Sequence, residues 1–185
     1  MSEPHDFPTA PDRTVIKLNY ERAVEALGKV CVEFQALETD FKDAVGELID
    51  PLDYRLGLII ASQLPFKGVL DLFQALFYYR LKNPDLQKKL GTFLGQCKAA
   101  EDRRNQIIHS NWIPDDMEGK GALRVKHSAR GELKSTAEPL SQADLEAVAN
   151  EFSNLRMKLY KDWFPKVREY GASRIPQPGR RPKNK

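Results

Sequence analysis

The chain has 185 residues, of which 41% are hydrophobic and 30% are charged. These proportions are typical of one globular domain with a hydrophobic core, and they exclude a collagen-like, low-complexity or disulfide-scaffold protein. No stretch approaches the roughly 18 to 20 apolar residues that a membrane span needs, and the first residues lack the apolar core of a signal peptide. We therefore expect a soluble, cytoplasmic protein with no membrane partner.

The two ends of the chain differ from the segment between them. Residues 1–13 contain three prolines and no hydrophobic period, which predicts a flexible N-terminal arm. The formal net charge is +3, and from Ala172 onward there are five basic residues and no acidic one. We expect residues 171–185 to form a disordered basic tail, which either contacts phosphates or only keeps the chain in solution.

The residues that bind metals are few and scattered. Three histidines and two cysteines form no cluster from which to build a zinc site, so we predict no metal and no cofactor. Both cysteines, Cys31 and Cys97, lie in apolar helical patterns, and we expect them to be free, buried thiols.

Hydrophobic periodicity predicts a single helical domain over residues 14–170. Apolar residues recur every three or four positions from Thr14 to Asp50, which indicates one long amphipathic helix that ends at Pro51. The fourth helix is predicted to end near Trp112 and Pro114. The helices after the first are predicted to begin near Tyr54, Pro65, Asn83 and Ser141.

Residues 113–139 interrupt the helical pattern. Gly119 and Gly121 precede the run ALRVKH, and the segment Ser-Ala-Arg-Gly then leads into ELKST, which predicts a short β-hairpin. Ser141 and Asp144 then form an N-cap signal for the last helix. The predicted fold class is an all-α bundle of four to five helices with a hairpin inserted before the last one.

The fourth helix changes character near its C-terminal end. Glu101 and Arg104 lie within an apolar stripe about 120° wide, and Asn105 and His109 lie on its edge one turn apart. One interpretation is an ion pair between Glu101 and Arg104, with His109 as a polar residue favoured by the helix dipole. The other is a polar cleft in which His109 is an acid or base and Arg104 a fixed cation for an anionic substrate. The apolar members of the stripe are Leu86, Leu90, Phe93, Leu94, Cys97, Ala100 and Ile108.

The segment Arg104-Asn105-x-x-x-His109 resembles the Arg-x(4–6)-His motif of the HEPN (higher eukaryotes and prokaryotes nucleotide-binding) superfamily. The context is similar too: Glu101 lies three residues upstream, two isoleucines lie inside the motif, and a four-helix frame surrounds it. In toxin members paired with a nucleotidyltransferase antitoxin the motif continues His-x-Tyr. Here Asn111 stands in place of that tyrosine, so we do not expect regulation by that route.

The resemblance implies a HEPN-like bundle and a metal-independent endoribonuclease, which cleaves RNA to 2′,3′-cyclic phosphate and 5′-hydroxyl ends. It also implies a homodimer through the helix that carries the motif, a role as a toxin or in antiviral defence against phage, and an antitoxin or activating partner. The two copies of His109 would be acid and base, and Arg104 would stabilise the phosphorane. Asn105 would orient His109 or the phosphate, and Glu101 would hold Arg104. The alternative is a non-catalytic HEPN-like module that binds RNA or another protein.

Basic residues outside the motif are candidate RNA contacts. Arg103 precedes Arg104, and the predicted hairpin carries a basic group that either binds RNA or is a solvated turn. The hairpin group consists of Arg124, Lys126, His127 and Arg130. On a straight helix Arg104 and His109 point about 140° apart. They would meet on one phosphate only through the long arginine side chain, a distorted last turn or a partner subunit.

Overall fold

A computed structural model describes residues 12–119, 121–129 and 133–174. Most of the predicted arm, and residues 175–185 of the predicted tail, lie outside the described residues. Arg13 is the first residue of the first helix, and the last helix continues through Arg174. Residues 171–174 are therefore helical, and the prediction that the tail begins at residue 171 is wrong.

The first helix, α1, spans Arg13–Ile49, within one residue of the prediction at each end. It begins where the Asp12 carboxylate accepts a hydrogen bond of 2.8 Å from the Thr14 amide, which satisfies one of the amides that an α-helix leaves free at its start. It ends just before Pro51, which cannot donate a backbone hydrogen bond.

Three further helices begin where they are predicted to, within one residue: α2 (Tyr54–Ser62), α3 (Phe66–Arg80) and α4 (Pro84–Ile108). The Asn83 side chain caps α4 by accepting a hydrogen bond of 3.1 Å from the Leu86 amide. Pro84 then occupies the first helical position, where a missing amide hydrogen costs nothing. The start of the helix that carries the motif is thus set by local sequence.

The last helical segment begins at the predicted N-cap but is not a uniform α-helix. Ser141 and Asp144 form a reciprocal capping box, and the hydrogen bonds from Ser141 lower the pKa of the Asp144 carboxyl. Helix α5 (Gln142–Lys158) continues through a π turn (Leu159–Trp163) into α6 (Phe164–Arg174). The π turn was not predicted.

The segment between α4 and α5 forms a three-stranded antiparallel sheet of order β1–β2–β3. Strands β2 (Ala122–Ala129) and β3 (Leu133–Leu140) are the two strands of the predicted hairpin, and both extend beyond the predicted runs. The first strand, β1 (Asn111–Pro114), occupies residues that we expected to end the fourth helix. That helix ends at Ile108, because the backbone of 111–114 pairs with β2 instead. Pro114 is tolerated because β1 pairs on only one side.

The described residues fall into two compact units. The sheet unit takes its residues from Met1–Cys31 and Arg104–Ala149, and the helical unit from Val32–Arg103 and Asn150–Lys185. The core of the helical unit is rich in aromatic rings that contact one another edge-on, tilted or stacked: Phe34, Phe41, Phe66, Phe73, Phe77, Phe93, Phe152 and Trp163. The core of the sheet unit is smaller and includes Ala23, Ala26, Ile107, Ala122 and Leu145. One domain over residues 14–170 stays a prediction.

These elements confirm a mainly helical protein with a small antiparallel sheet. In the described part of the chain, no helix combines the length and the apolar character that crossing a membrane requires.

Candidate active site

The apolar stripe of α4 is buried from Leu90 to Ala100, as the helical period predicts. Glu101 and Arg104, which continue the stripe, are half-buried. The stripe closes on Ile107, which is 5% exposed, whereas the predicted Ile108 is only half-buried. The last turn of α4 belongs to the sheet unit, whose core takes the Ile107 side of the helix.

The guanidinium of Arg104 contacts the neighbouring side chain of the motif. Its NH1 donates a hydrogen bond of 2.9 Å to Oδ1 of Asn105, and both residues are half-buried. Consecutive side chains on a helix normally point about 100° apart. The long arginine side chain therefore swings along the helix surface towards Asn105, which leaves the Asn105 amide nitrogen free to donate elsewhere.

His109 is exposed and lies one helical turn beyond Asn105. The His109 amide donates a hydrogen bond of 3.1 Å to the Asn105 carbonyl, so the backbone keeps a helical turn at the end of α4. Residues spaced four apart on a helix have their Cβ atoms about 5–6 Å apart. Asn105 therefore stands between the other two members of the motif: it is bonded to Arg104 and neighbours His109.

Tertiary contacts fix the chain just after His109. The Trp112 indole Nε1 donates a hydrogen bond of 3.0 Å to the Ile107 carbonyl in the last turn of α4, which also accepts a longer one of 3.4 Å from the Ser110 amide. The Trp112 carbonyl in turn accepts a hydrogen bond of 3.3 Å from the Tyr20 hydroxyl of α1. Sequence reasoning missed this support, since Tyr20 is ninety-two positions away and carries no local signal.

Glu101 and Arg103 belong to the helical unit. Arg103 forms a two-point ion pair with Glu151 of α5: its Nε lies 3.0 Å from Oε2, and its NH2 bonds Oε1. A guanidinium held in this way is oriented towards a carboxylate. The expected roles of Glu101 in holding Arg104 and of Arg103 in RNA binding stay predictions.

The basic residues of the predicted hairpin lie along β2. Arg124 pairs across the sheet with Glu138 of β3, its partner in the strand register. Lys126 is exposed, and Nδ1 of the exposed His127 lies 2.8 Å from the Ser135 hydroxyl. Arg130 lies outside the described residues. Lys126 and His127 thus present exposed polar groups on β2, and RNA binding there stays a prediction.

The described residues contain no group of three or more histidine, cysteine, aspartate or glutamate side chains that could hold a metal ion. The two cysteines differ from each other. Cys97 is buried as expected, and burial raises the pKa of its thiol to about 12. Cys31 is exposed, so the expectation that both thiols are buried is wrong for it. Its neighbour Val30 takes the buried position of α1 instead.

Comparison of the chain with models of protein families, with curated proteins and with solved structures finds no match in any of the three. The resemblance to the HEPN superfamily therefore stands on the motif residues and their setting alone.

Proposed function

We propose that the chain is a metal-independent endoribonuclease of the HEPN type. One observation at the end of α4 carries this proposal. Asn105 accepts a hydrogen bond from the Arg104 guanidinium and neighbours the exposed His109. On a straight helix Arg104 and His109 point about 140° apart, and Asn105 points in a direction between them. A cation and an imidazole can then approach one phosphate without a distortion of the helix.

In the proposed reaction the 2′-oxygen of one nucleotide attacks the adjacent phosphorus, and the bond from phosphorus to the 5′-oxygen of the next nucleotide breaks. One imidazole accepts the proton of the 2′-hydroxyl, and another donates a proton to the departing 5′-oxygen. The Arg104 guanidinium offsets the negative charge that builds up on the phosphorane. The products are a 2′,3′-cyclic phosphate and a 5′-hydroxyl.

This chemistry needs a base and an acid, and the motif supplies one imidazole per chain. A homodimer with the two α4 ends facing each other would provide both copies of His109 and both copies of Arg104 around one phosphate. The exposure of His109 is compatible with that arrangement, because the ring is accessible to a substrate or a second subunit. We place the activity in a toxin or phage-defence setting, in which an antitoxin or activating partner controls the ribonuclease.

One observation favours a second candidate, a non-catalytic module of the same type that binds RNA or another protein. Arg104 is half-buried and its guanidinium is already bonded to Asn105, as in a residue whose role is structural. In this case His109 would contact a ligand without transferring a proton. The two candidates differ in whether RNA is cut.

The decisive experiment incubates the purified full chain with a labelled RNA in excess EDTA, beside the variants His109→Ala and Arg104→Ala. We expect only the wild type to cleave, with ends that resist phosphatase until acid opens the cyclic phosphate. Loss of one charge-stabilising group typically slows an enzyme about 10²- to 10³-fold, which is the effect expected for Arg104→Ala. His5→Ala and Arg55→Ala are matched controls outside the motif and should keep the wild-type rate.

The shared site of a dimer has its own test. If one site contains both copies of His109, then excess His109→Ala protein will form mixed dimers with the wild type and suppress its rate. A rate that does not change on mixing would contradict the shared site. RNA that is bound but uncut in EDTA would instead favour the non-catalytic module.

A further inference from the structure

A cleft of about 550 Å³ opens in the helical unit. Helix α1 contributes Asp43 and Glu47 to its lining, and α2 contributes Tyr54 and Leu58. The π turn and α6 form the facing wall. The volume is within the range of about 300–1,000 Å³ that is usual for small-molecule sites in proteins.

A close glycine contact brings the first two walls together. A Cβ atom built on Gly57 of α2 would lie 2.5 Å from Cα of Gly46 in α1. A Cβ atom on Gly46 would lie 2.9 Å from the carbonyl oxygen of Tyr54. Since both distances are too short for a real side chain, only glycine at these positions lets α2 approach α1 so closely. Tyr54 therefore lines the same cleft as the carboxylates of α1.

The wall formed by the π turn and α6 carries two aromatic rings and a guanidinium, those of Tyr160, Phe164 and Arg168. The rings of Tyr160 and Phe164 stack with their centroids 4.9 Å apart and their planes 12° from parallel. The Arg168 guanidinium lies 5.4 Å from the centroid of Phe164. Tyr160 is fixed in place because its hydroxyl donates a hydrogen bond of 2.8 Å to the buried carboxylate of Asp40. The faces of such rings carry negative charge and attract cations.

Of the two carboxylates that α1 contributes to the lining, only one has a cationic partner among the described residues. Glu47 has a cation, since its Oε1 lies 3.8 Å from Nε of Arg168. Asp43 has no ion pair or hydrogen bond to any residue in the described part of the chain. Burial raises the pKa of the Asp43 carboxyl, and the Asp40 carboxylate raises it further. The lining thus holds one half-buried negative charge without a counterion.

The chain itself shows which chemistry suits the cleft. Arg168 places a guanidinium both on an aromatic face and next to a carboxylate, and its side chain is still 66% exposed. A second cation would find the same two kinds of partner in Tyr160 and Asp43, with Tyr54 and Leu58 available to an apolar body. A neutral ligand would leave Asp43 unmatched. An anion would be repelled by Asp43, and the cation of the lining, Arg168, already pairs with Glu47.

We propose that this cleft binds a small organic cation, an ammonium or guanidinium group on an apolar body, between the Asp43 carboxylate and the Tyr160–Phe164 stack. The site shares no residue with the motif at the end of α4. Its success or failure is therefore independent of the proposed ribonuclease.

The test uses two cations, phenethylammonium and phenethylguanidinium, with the neutral 2-phenylethanol as a probe of the same shape. Each is titrated into the full chain at neutral pH, and binding is followed by amide chemical shifts in NMR spectra and by calorimetry. We expect at least one cation to bind in the millimolar range or tighter, with shifts concentrated in 43–58 and 160–172. The alcohol should bind at least about fivefold more weakly, since it lacks the charge that the carboxylate and the ring faces attract.

Two variants assign the effect to one carboxylate. Asp43→Asn keeps the shape of the side chain and removes its charge, and should weaken the better cation by at least about fivefold. Asp85→Asn, which removes an exposed acidic charge from α4, should not change binding. The proposal is overturned if neither cation binds, if the alcohol binds as tightly as the cations, or if Asp43→Asn binds the cation as tightly as the wild type does.

Discussion

The carboxylate of Asp40 organises the polar contacts behind the cleft, and replacing it with asparagine should destabilise the helical unit. Asp40 is 6% exposed. Its Oδ1 accepts the hydrogen bond from the Tyr160 hydroxyl, and its Oδ2 accepts one of 2.9 Å from Nε of Arg156. NH1 of Arg156 also lies 3.3 Å from Oε2 of Glu33. Asp40→Asn keeps an acceptor for Tyr160 but turns an amide donor towards the guanidinium.

The expected fall in the free energy of unfolding for Asp40→Asn follows from these contacts. A hydrogen bond to a charged group contributes about 1.5–3 kcal/mol. The Arg156 side chain is 30% exposed and keeps Glu33, and the variant no longer buries the charge of Asp40, so we expect the lower part of that range. A loss of about 2 kcal/mol would lower the melting temperature by roughly 4–8 °C in a chain of this length.

The assay is urea unfolding of the wild type, Asp40→Asn, Tyr160→Phe and the double variant, followed by circular dichroism. Tyr160→Phe removes one hydrogen bond to this carboxylate and should cost about 1.5 kcal/mol, the lower end of the same range, because Tyr160 is 43% exposed. Asp40→Asn weakens the hydrogen bond from the Tyr160 hydroxyl by removing the charge of its acceptor, and Tyr160→Phe removes that bond, so the two costs should add to more than that of the double variant. An Asp40→Asn protein as stable as the wild type would refute this account.

The same contact has a signature at alkaline pH. The hydrogen bond to Asp40 is the main reason that the pKa of the Tyr160 hydroxyl is raised above its ordinary value. A raised pKa in the folded state favours the neutral phenol, so this contribution to stability is complete below the unfolded-state pKa of about 10 and is lost as pH rises through the folded-state value. In Asp40→Asn the pKa of Tyr160 should move back towards the ordinary value, as measured by ultraviolet difference titration against Tyr160→Phe.

Two further predictions concern backbone contacts. Trp112→Phe removes the indole donor to the Ile107 carbonyl and should lower the free energy of unfolding by about 1 kcal/mol. Hydrogen exchange of the His109 amide should then become faster. Unchanged exchange would show that the indole does not hold the end of α4. Gly57→Ala should cost about 1–3 kcal/mol through its clash with Gly46, measured by urea unfolding. Gly95→Ala, with no atom within 4 Å of the new Cβ, should instead stabilise the chain by up to about 1 kcal/mol; equal effects of the two substitutions would contradict the glycine contact.

Most of the helix starts, and the end of α1, could be predicted because they are encoded locally. A proline stops α1 just before Pro51, and side-chain caps start two later helices. These caps are Asn83, with Pro84 after it, and the pair Ser141 and Asp144. Strand β1 could not be predicted in this way, since residues 111–114 are strand only through their pairing with β2. The π turn has no local signal that separates it from the α-helical pattern on either side.

The motif and the cleft also differ in how far the sequence alone predicts them. Helical spacing alone predicts that Asn105 neighbours His109, because both lie on one helix. It does not predict the direction of the Arg104 guanidinium, which depends on the rotamer that the folded chain selects. The cleft brings together residues near positions 43, 54 and 160, and only the packing of three helices reveals that they share one surface.

The two proposed sites differ in the charge that they would recognise, and this makes them separable by experiment. The end of α4 offers a guanidinium and an imidazole to an anionic phosphate, whereas the cleft offers a carboxylate and aromatic faces to a cation. Added salt should weaken the RNA complex strongly, because each phosphate contact releases a counterion. It should weaken a single half-buried ion pair much less, since screening acts mainly on exposed charges. Arg104→Ala should therefore impair RNA cleavage without affecting cation binding, and Asp43→Asn should do the reverse. A variant that impaired both would mean that it acts through the fold, and neither assignment could then rest on it.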